Sequence, residues 1–374
     1  MLIDRIELRV VRNELVHEFE TSSHRKSYLD HVLIRVVTAD GFEGWGECAS
    51  PSDPYYCGET TETCWQVLVH HLAPLVLGVR WDEPVEIARL LGKVSGNHFA
   101  RAGLEMASWD LYGRARGARL ADLLGGTQPA VSSGVSLGVE PTIGALLQQV
   151  DKHVADGYHR VKLKIRPGWD VEPVRAVRAA YPDVLVQVDA NCGYRPDQRE
   201  SLLALDGLGL AMIEQPFAAD DLLSSAALAK DLETPLCLDE SITSPAMLRT
   251  ALALGAGSII NVKVSRLGGI VAAVEVHDLC LDAGVPVWCG GMHEFGVGRA
   301  ANLAVASLPN FRFPSDVSGS DKYYRRDVVV PPITSVDGMV RVPRGPGIGV
   351  DIDPAVLAEH TRRVHRMVSD GRVP

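Results

Sequence analysis

Five residues recur along the middle of this 374-residue chain at a nearly constant interval: Lys164, Asp189, Glu214, Asp239 and Lys263. The spacings are 25, 25, 25 and 24 residues. Three carboxylates drawn to one place repel one another unless a cation neutralises them. An all-oxygen donor set without His or Cys suits Mg²⁺, with Mn²⁺ as the alternative. A lysine beside a dication and a second lysine is pushed toward a lower pKa, as a general base requires. A divalent metal binding a carboxylate, with a base on either face, suits abstraction of the proton α to that carboxylate through a metal-stabilised enediolate. Singly, acids at strand ends serve as helix caps, and buried lysines serve as structural ion-pair partners. Equal spacing and shared strand parity favour the metal site.

These residues sit in or beside short apolar runs: "GVSLGV" (134–139), "VKLKI" (161–165), "VLVQVDAN" (184–191), "LAMIEQP" (210–216), "PLCLDES" (235–241), "SIINVKVS" (258–265), "VPVWCGG" (285–291) and "FRFPSD" (311–316). Helical stretches lie between them; Ile143, Leu146, Leu147, Val150 and Val154, for example, form one stripe. A steady alternation of strand and helix predicts an α/β fold, a (β/α)8 barrel of the TIM type. A doubly wound open sheet fits less well, because it would carry a Gly-rich phosphate loop after a strand, and "GAG" at 255–257 precedes its strand. Period-two parity sorts the side chains. Val161, Leu163 and Ile165 oppose Lys162 and Lys164. Val184, Val186 and Val188 oppose Asp189 and Asn191, and Val262 and Val264 oppose Lys263. Leu236 and Leu238 group with Glu240 against Asp239, which predicts that Glu240 faces the outer helices. The polar set then points into the barrel near the C-terminal strand ends, where barrel enzymes place their chemistry.

Before the barrel, residues 3–12 and 31–47 alternate like strands around an Asp40-Gly41 turn, and a helical pattern runs from about Glu62 to Gly117. This predicts an α+β capping domain over 1–127, a catalytic barrel over 128–340, and a segment, 341–374, that returns to the cap. The chain is 46% hydrophobic and 22% charged, as soluble globular proteins are. A net charge of −10, with no basic run, argues against nucleic-acid or anionic-membrane partners. The N-terminal "MLIDRIELRVVRNE" has no apolar core suited to a signal peptide, and a cytoplasmic location is expected. The seven cysteines include no C-x-x-C pair, so neither disulfides nor zinc are expected.

The set "KLK", "VDAN", "IEQP", "LDES", "NVKVSRLGG" and "CGGMHEFGVGRAANLAVASLPNF" resembles the enolase superfamily, muconate-lactonizing subgroup, and within it the o-succinylbenzoate synthase/N-acylamino acid racemase family. The resemblance extends to "GFEGWGEC" and "GLEMASWD" in the cap and "VPRGPGIGV" near the end. It implies that Lys164 and Lys263 are the acid/base pair and that Asp189, Glu214 and Asp239 ligate Mg²⁺ (or Mn²⁺). It further implies that Lys162, Ser136, Asn191, Gly291, Met292, His293 and Phe295 contact or support a small-molecule carboxylate substrate, and that a cap loop near 18–28 covers it. A homo-oligomer is expected. Racemisation of an N-acylamino acid (N-succinylamino acid) and dehydration to o-succinylbenzoate are the leading activities; dipeptide epimerisation and muconate-type cycloisomerisation follow. A barrel that binds metal and ligand without turnover is the reading from a different class. Two positions depart from the family: His293 stands where an aliphatic residue is usual, and Phe295 where a small one, often Thr, is. With the basic His24, Arg25 and Lys26 of the cap loop, they predict a preference for substrates with a polar or anionic distal group.

Overall fold

The computed structural model describes residues 1–20 and 25–369. Its N-terminal layer is an antiparallel sheet of β1 (Ile3–Glu20), β2 (Arg25–Thr38) and β3 (Glu43–Cys48). Ile6, Leu8 and Val10 of β1 and Val32, Ile34 and Val36 of β2 are buried together, as their alternation requires. Helix α1 (His98–Arg116) lies on this sheet through its small residues. A Cβ at Gly46 would come within 2.0 Å of the Gly103 carbonyl oxygen, and one at Gly44 within 2.3 Å of that of Ala107. The two glycines of "GWGE" therefore let strand and helix backbones touch.

The second layer is a seven-stranded parallel sheet in sequential order: β4 (Val135–Leu137), β5 (Arg160–Lys164), β6 (Leu185–Asp189), β7 (Ile213–Glu214), β8 (Leu236–Leu238), β9 (Ile259–Val262) and β10 (Val287–Cys289). Its outward residues, among them Val161, Leu163, Val186 and Val188, pack on Leu146, Val150, Val174 and Val177 of the surrounding helices. Segment 311–316 closes the ring. Arg312 and Asp316 donate backbone N–H bonds to Val287 and Cys289 on one side, and Gly134 donates to the Ser315 carbonyl on the other. The eighth strand thus takes part through single bridges rather than a continuous ladder. Pro314 within it has no N–H to give. Inside the ring Met212, Cys237, Ile259 and Trp288 form an apolar floor beneath the polar layer.

The last strand, β11 (Thr361–Val368), pairs antiparallel with β1, from Arg5 opposite Val368 to Val11 opposite Thr361, so the chain's end returns to the N-terminal sheet. Two carboxylates of the N-terminal layer also start barrel helices. Glu105 of α1 accepts the Val271 N–H at 2.8 Å, at the head of α2 (Ile270–Asp282). Glu47 of β3 accepts from Phe295 N–H at 2.8 Å and Gly298 N–H at 2.7 Å, at the head of α3 (Gly296–Ala306). Gly269 and Phe295, at the two N-cap positions, have no acceptor side chain of their own. The unpaired N–H groups of a helix start are thus satisfied from the other layer. Among the described residues no helix is long and apolar enough to cross a membrane.

Candidate active site

The sheet register sets the site. Lys164 lies beside Asp189, and Asp189 beside Glu214, as cross-strand partners at the C-terminal ends of β5, β6 and β7. Asp239 follows the last residue of β8 and Lys263 the last of β9. Strands β5 and β9 stand four places apart in a ring of eight, so the two lysines enter from opposite walls. Lys164 Nζ lies 2.6 Å from Asp189 Oδ2 and also donates to Asn191 Oδ1. Lys263 Nζ lies 2.8 Å from Asp239 Oδ2 and 3.1 Å from the Tyr56 hydroxyl, which descends from the N-terminal layer. Glu214 is held between two amides, Asn261 Nδ2 at 2.8 Å and Gln187 Nε2 at 2.9 Å.

Lys162 is sunk one layer deeper and is almost wholly buried. Its amine lies 2.7 Å from Asp316 Oδ2 and 3.3 Å from both Asp189 and Glu214, above the Trp288 ring. Asp316 in turn takes Arg160 at 2.7 Å and the Ser136 hydroxyl at 3.1 Å. Lys162 therefore reaches carboxylates of the protein, and Ser136 points into the barrel toward the same acid.

Burial and the neighbouring Asp189 and Asp239 charges lift the Glu214 carboxyl to about 8. Burial would lift Asp189 as well, but Lys164 and Lys162 outweigh it and hold that carboxyl well below its usual range. The expected lowering of the lysine pKa values is tied to a dication beside them; the protein's own groups act in the opposite direction on Lys263 and Lys162. Burial disfavours the Lys263 and Lys162 ammonium groups, yet the carboxylates beside them overcome that cost and hold both protonated, well above the ordinary lysine value. A carboxylate within hydrogen-bond reach outweighs a second lysine across the barrel, because Coulomb energy falls with distance.

Among the described residues no three Asp, Glu, His or Cys side chains converge on a single point, and each carboxylate is turned onto a lysine, arginine or amide. The donor chemistry still fits a hard divalent cation. Three buried acids occupy successive strand ends, and the like-charge repulsion felt by Glu214 is what a cation among them would relieve.

The parity expectation for Glu240 is overturned. Strand β8 ends at Leu238, so alternation no longer applies, and the turn that follows swings Glu240 to the barrel mouth, where its Oε1 accepts from Asn191 Nδ2 at 3.0 Å. Phe295 is the second correction. Its ring is fully buried, 4.5 Å from the His31 ring and 5.3 Å from that of Tyr324, and belongs to the joint between the layers rather than to the mouth. His293 is half-buried in a left-handed conformation (φ 59°), its ring stacked on Tyr323 and its carbonyl accepting the Tyr324 hydroxyl. That turn re-aims the chain, so Phe295 points inward. Phe295→Ala is accordingly expected to cost about 3 kcal/mol of stability in denaturant titration and to leave the substrate ranking unchanged. A variant of wild-type stability with a new ranking would restore Phe295 to the specificity surface. Met292 packs against the hydrophobic cluster of the N-terminal layer, as Tyr56 does, and Gly291 lies beside the Asp316 backbone. Of the cap loop, residues 21–24, including His24, lie outside the described residues, as do the side chains of Arg25 and Lys26.

Sequence reasoning missed Asp316, Arg266, Tyr56 and Gly290. Asp316 ends the eighth run, 53 residues beyond Lys263, close to two periods, so the spacing carried that signal. Arg266 lies in a one-turn helix, Val264–Leu267, and donates to Asp239 Oδ1. Gly290 makes room for Lys263, since a Cβ there would lie 2.8 Å from the lysine Cε.

Residues 145–356 match the family model described as enolase C-terminal domain-like, and residues 5–125 that of the mandelate racemase/muconate lactonizing enzyme N-terminal domain. The chain is 45% identical to an o-succinylbenzoate synthase of Geobacillus kaustophilus over 360 residues, covering 96% of each. It is 46% identical to an N-succinylamino acid racemase of Amycolatopsis over 362 residues, covering 96% of this chain and 98% of the relative. A solved enolase-superfamily member from Listeria innocua superposes with a TM-score of 0.96 at 35% identity, over 99% of this chain and 100% of that one.

Proposed function

Since the chain is an enzyme of the enolase superfamily, in the branch of mandelate racemase and muconate lactonizing enzyme, we propose that it abstracts the proton α to the carboxylate of an N-succinylamino acid and racemises it, and that the same site forms o-succinylbenzoate by dehydration. One observation carries this reading: Lys164 and Lys263 face each other from opposite walls across three buried carboxylates. Relatives bearing both names, at nearly equal identity, support the pairing of activities.

Asp189, Glu214 and Asp239 would hold a divalent cation, Mg²⁺ or Mn²⁺, whose charge stabilises the negative charge that develops on the substrate carboxylate when the α-proton leaves. Lys164 takes that proton on one face of the α-carbon and Lys263 serves the other, so removal by one and return by the other inverts the centre. In dehydration one lysine is the base and the other an electrostatic support. Lys263 must shed its own proton to act as a base, which requires Asp239 to be engaged elsewhere than on its amine. Lys162, with Arg160, keeps Asp316 and the deep side of the carboxylate cluster neutralised. The preference for a polar or anionic distal group now rests on His293 and on the basic His24, Arg25 and Lys26 of the sequence, since Phe295 is buried.

The test is a panel of N-succinylamino acids, dipeptides and the cyclohexadiene precursor of o-succinylbenzoate, assayed with Mg²⁺ and scored for α-proton exchange in D₂O. Turnover of the first and third classes is expected. Turnover of dipeptides alone would replace the substrate assignment, and binding without exchange would mark a barrel that has lost catalysis.

A further inference from the structure

Glu240 has no part in the mechanism above, yet the structure holds it with care. Its turn is clamped by Gln215, a fully buried residue whose side-chain carbonyl accepts the backbone N–H of Asp239 at 2.9 Å and of Ser241 at 3.2 Å. The other end of the Gln215 amide donates to the Ser241 hydroxyl at 2.8 Å and the Phe217 carbonyl at 3.0 Å. Four hydrogen bonds from one buried side chain thus hold the turn that carries Glu240. Glu240 Oε2 is buried without a hydrogen-bond partner, so among the described residues the carboxylate's one hydrogen bond is that from Asn191.

Asn191 is fixed from every side. Its backbone is left-handed (φ 42°), as is that of Cys192 (φ 61°), and its N–H donates to Asp189 Oδ1 at 3.0 Å. Consecutive residues in this region persist only where surroundings over-determine them, and they cluster at functional sites. The amide has two different ends, and each is committed: Nδ2 to Glu240, Oδ1 to the Lys164 amine. Lysine has only donors and an ionised glutamate only acceptors, so the chain Glu240, Asn191, Lys164 can be wired in one sense alone. Were Glu240 unable to accept, the amide could turn over and present its NH₂ to the lysine, and Lys164 would lose its anchor.

We propose that Glu240 is a positioning residue which, through the side chain of Asn191, holds the Lys164 amine in line for one face of the substrate. This rests on the reading of Lys164 as an acid/base, and the consequence is one-sided. Lys263 is anchored by Asp239 and Tyr56 and makes no hydrogen bond to the relay; the Glu240 charge also acts on Lys263, an effect that Glu240→Leu and Glu240→Gln remove alike.

The decisive comparison is Glu240→Leu, which removes the acceptor, against Glu240→Gln, which keeps one, in the full chain with Mg²⁺. Exchange of the α-proton in D₂O is measured separately on each enantiomer of an N-succinylamino acid, and Lys164→Ala identifies the enantiomer that Lys164 serves. Glu240→Leu is expected to slow exchange of that enantiomer by about tenfold or more, as small misplacements of a reacting group do, with the other enantiomer changed far less. Glu240→Gln should recover most of the loss. A second readout needs no substrate: in competitive acetylation read by mass spectrometry, Lys164 should label faster in Glu240→Leu relative to Lys263. Equal slowing of both enantiomers, equal loss in Leu and Gln variants, or unchanged Lys164 labelling would overturn the proposal. If Glu240→Leu does not fold, Asn191→Leu cuts the relay at its other member and must give the same one-sided loss. A wild type that exchanges neither enantiomer overturns the functional reading instead, and the labelling result still decides whether the relay exists.

Discussion

Replacing Lys164 or Lys263 by alanine is expected to abolish racemisation while leaving the fold intact. In the proposed two-base mechanism each lysine serves one face of the α-carbon and racemisation needs both, so either loss should lower the rate by roughly 10²–10⁴-fold, the usual contribution of a general acid or base. The two variants should differ in what they keep. Each retains α-proton exchange with D₂O for the enantiomer whose proton faces the surviving lysine, and the retained enantiomers should be opposite. Chiral chromatography gives the first quantity and mass spectrometry of exchanged substrate the second. Racemisation at the wild-type rate in either variant would exclude two-base chemistry. The outcome for o-succinylbenzoate formation should be asymmetric, because a dehydration needs only one base.

On the same proposal, removing the divalent cation should be as severe. Chelation with EDTA is expected to abolish activity, and Mg²⁺ or Mn²⁺ to restore it, because a bound dication supplies several kcal/mol of transition-state charge stabilisation, on the order of a thousandfold in rate. The finer expectation concerns adjacent acids. Asp239→Asn should weaken Mg²⁺ binding in calorimetric titration far more than Glu240→Gln does. Both residues stand at the mouth, so the contrast no longer follows from strand parity. It follows from their partners: Asp239 is crowded by Lys263 and Arg266 as a full charge, whereas Glu240 is committed to the Asn191 amide. Equal weakening by the two substitutions would make Glu240 a ligand.

Spacing and parity made the centre of this site legible in the sequence, because both are properties of regular strands. Lys162, Lys164 and Asp189 fall inside β5 and β6, where alternation holds, and their directions could be read from the aliphatic residues between them. Glu240 and Phe295 lie past strand ends, where turns set direction. At Phe295 the turn includes a left-handed histidine that no hydrophobic pattern announces. Tyr56 could not be found by period at all, since it comes from the other layer and meets Lys263 only through tertiary packing. The upward pull of the protein's own carboxylates on Lys263 was not legible for a related reason. Composition shows which charges exist, but the sign of a pKa shift depends on which of them is nearest.

The two carboxylates that start α2 and α3 bear on how such proteins can be recombined. A barrel expressed without the N-terminal layer would expose helix beginnings that its own Gly269 and Phe295 cannot satisfy. A chimera that borrows the layer from a relative, in the hope of importing its substrate preference, must import acceptors at the places of Glu47 and Glu105 and a partner for Glu47 at the place of His31. Without them the graft would disturb the joint that holds Phe295, and with it the turn that carries His293, before any new substrate reached it. The natural unit of exchange in this protein is therefore the seam, and not either of the pieces it joins.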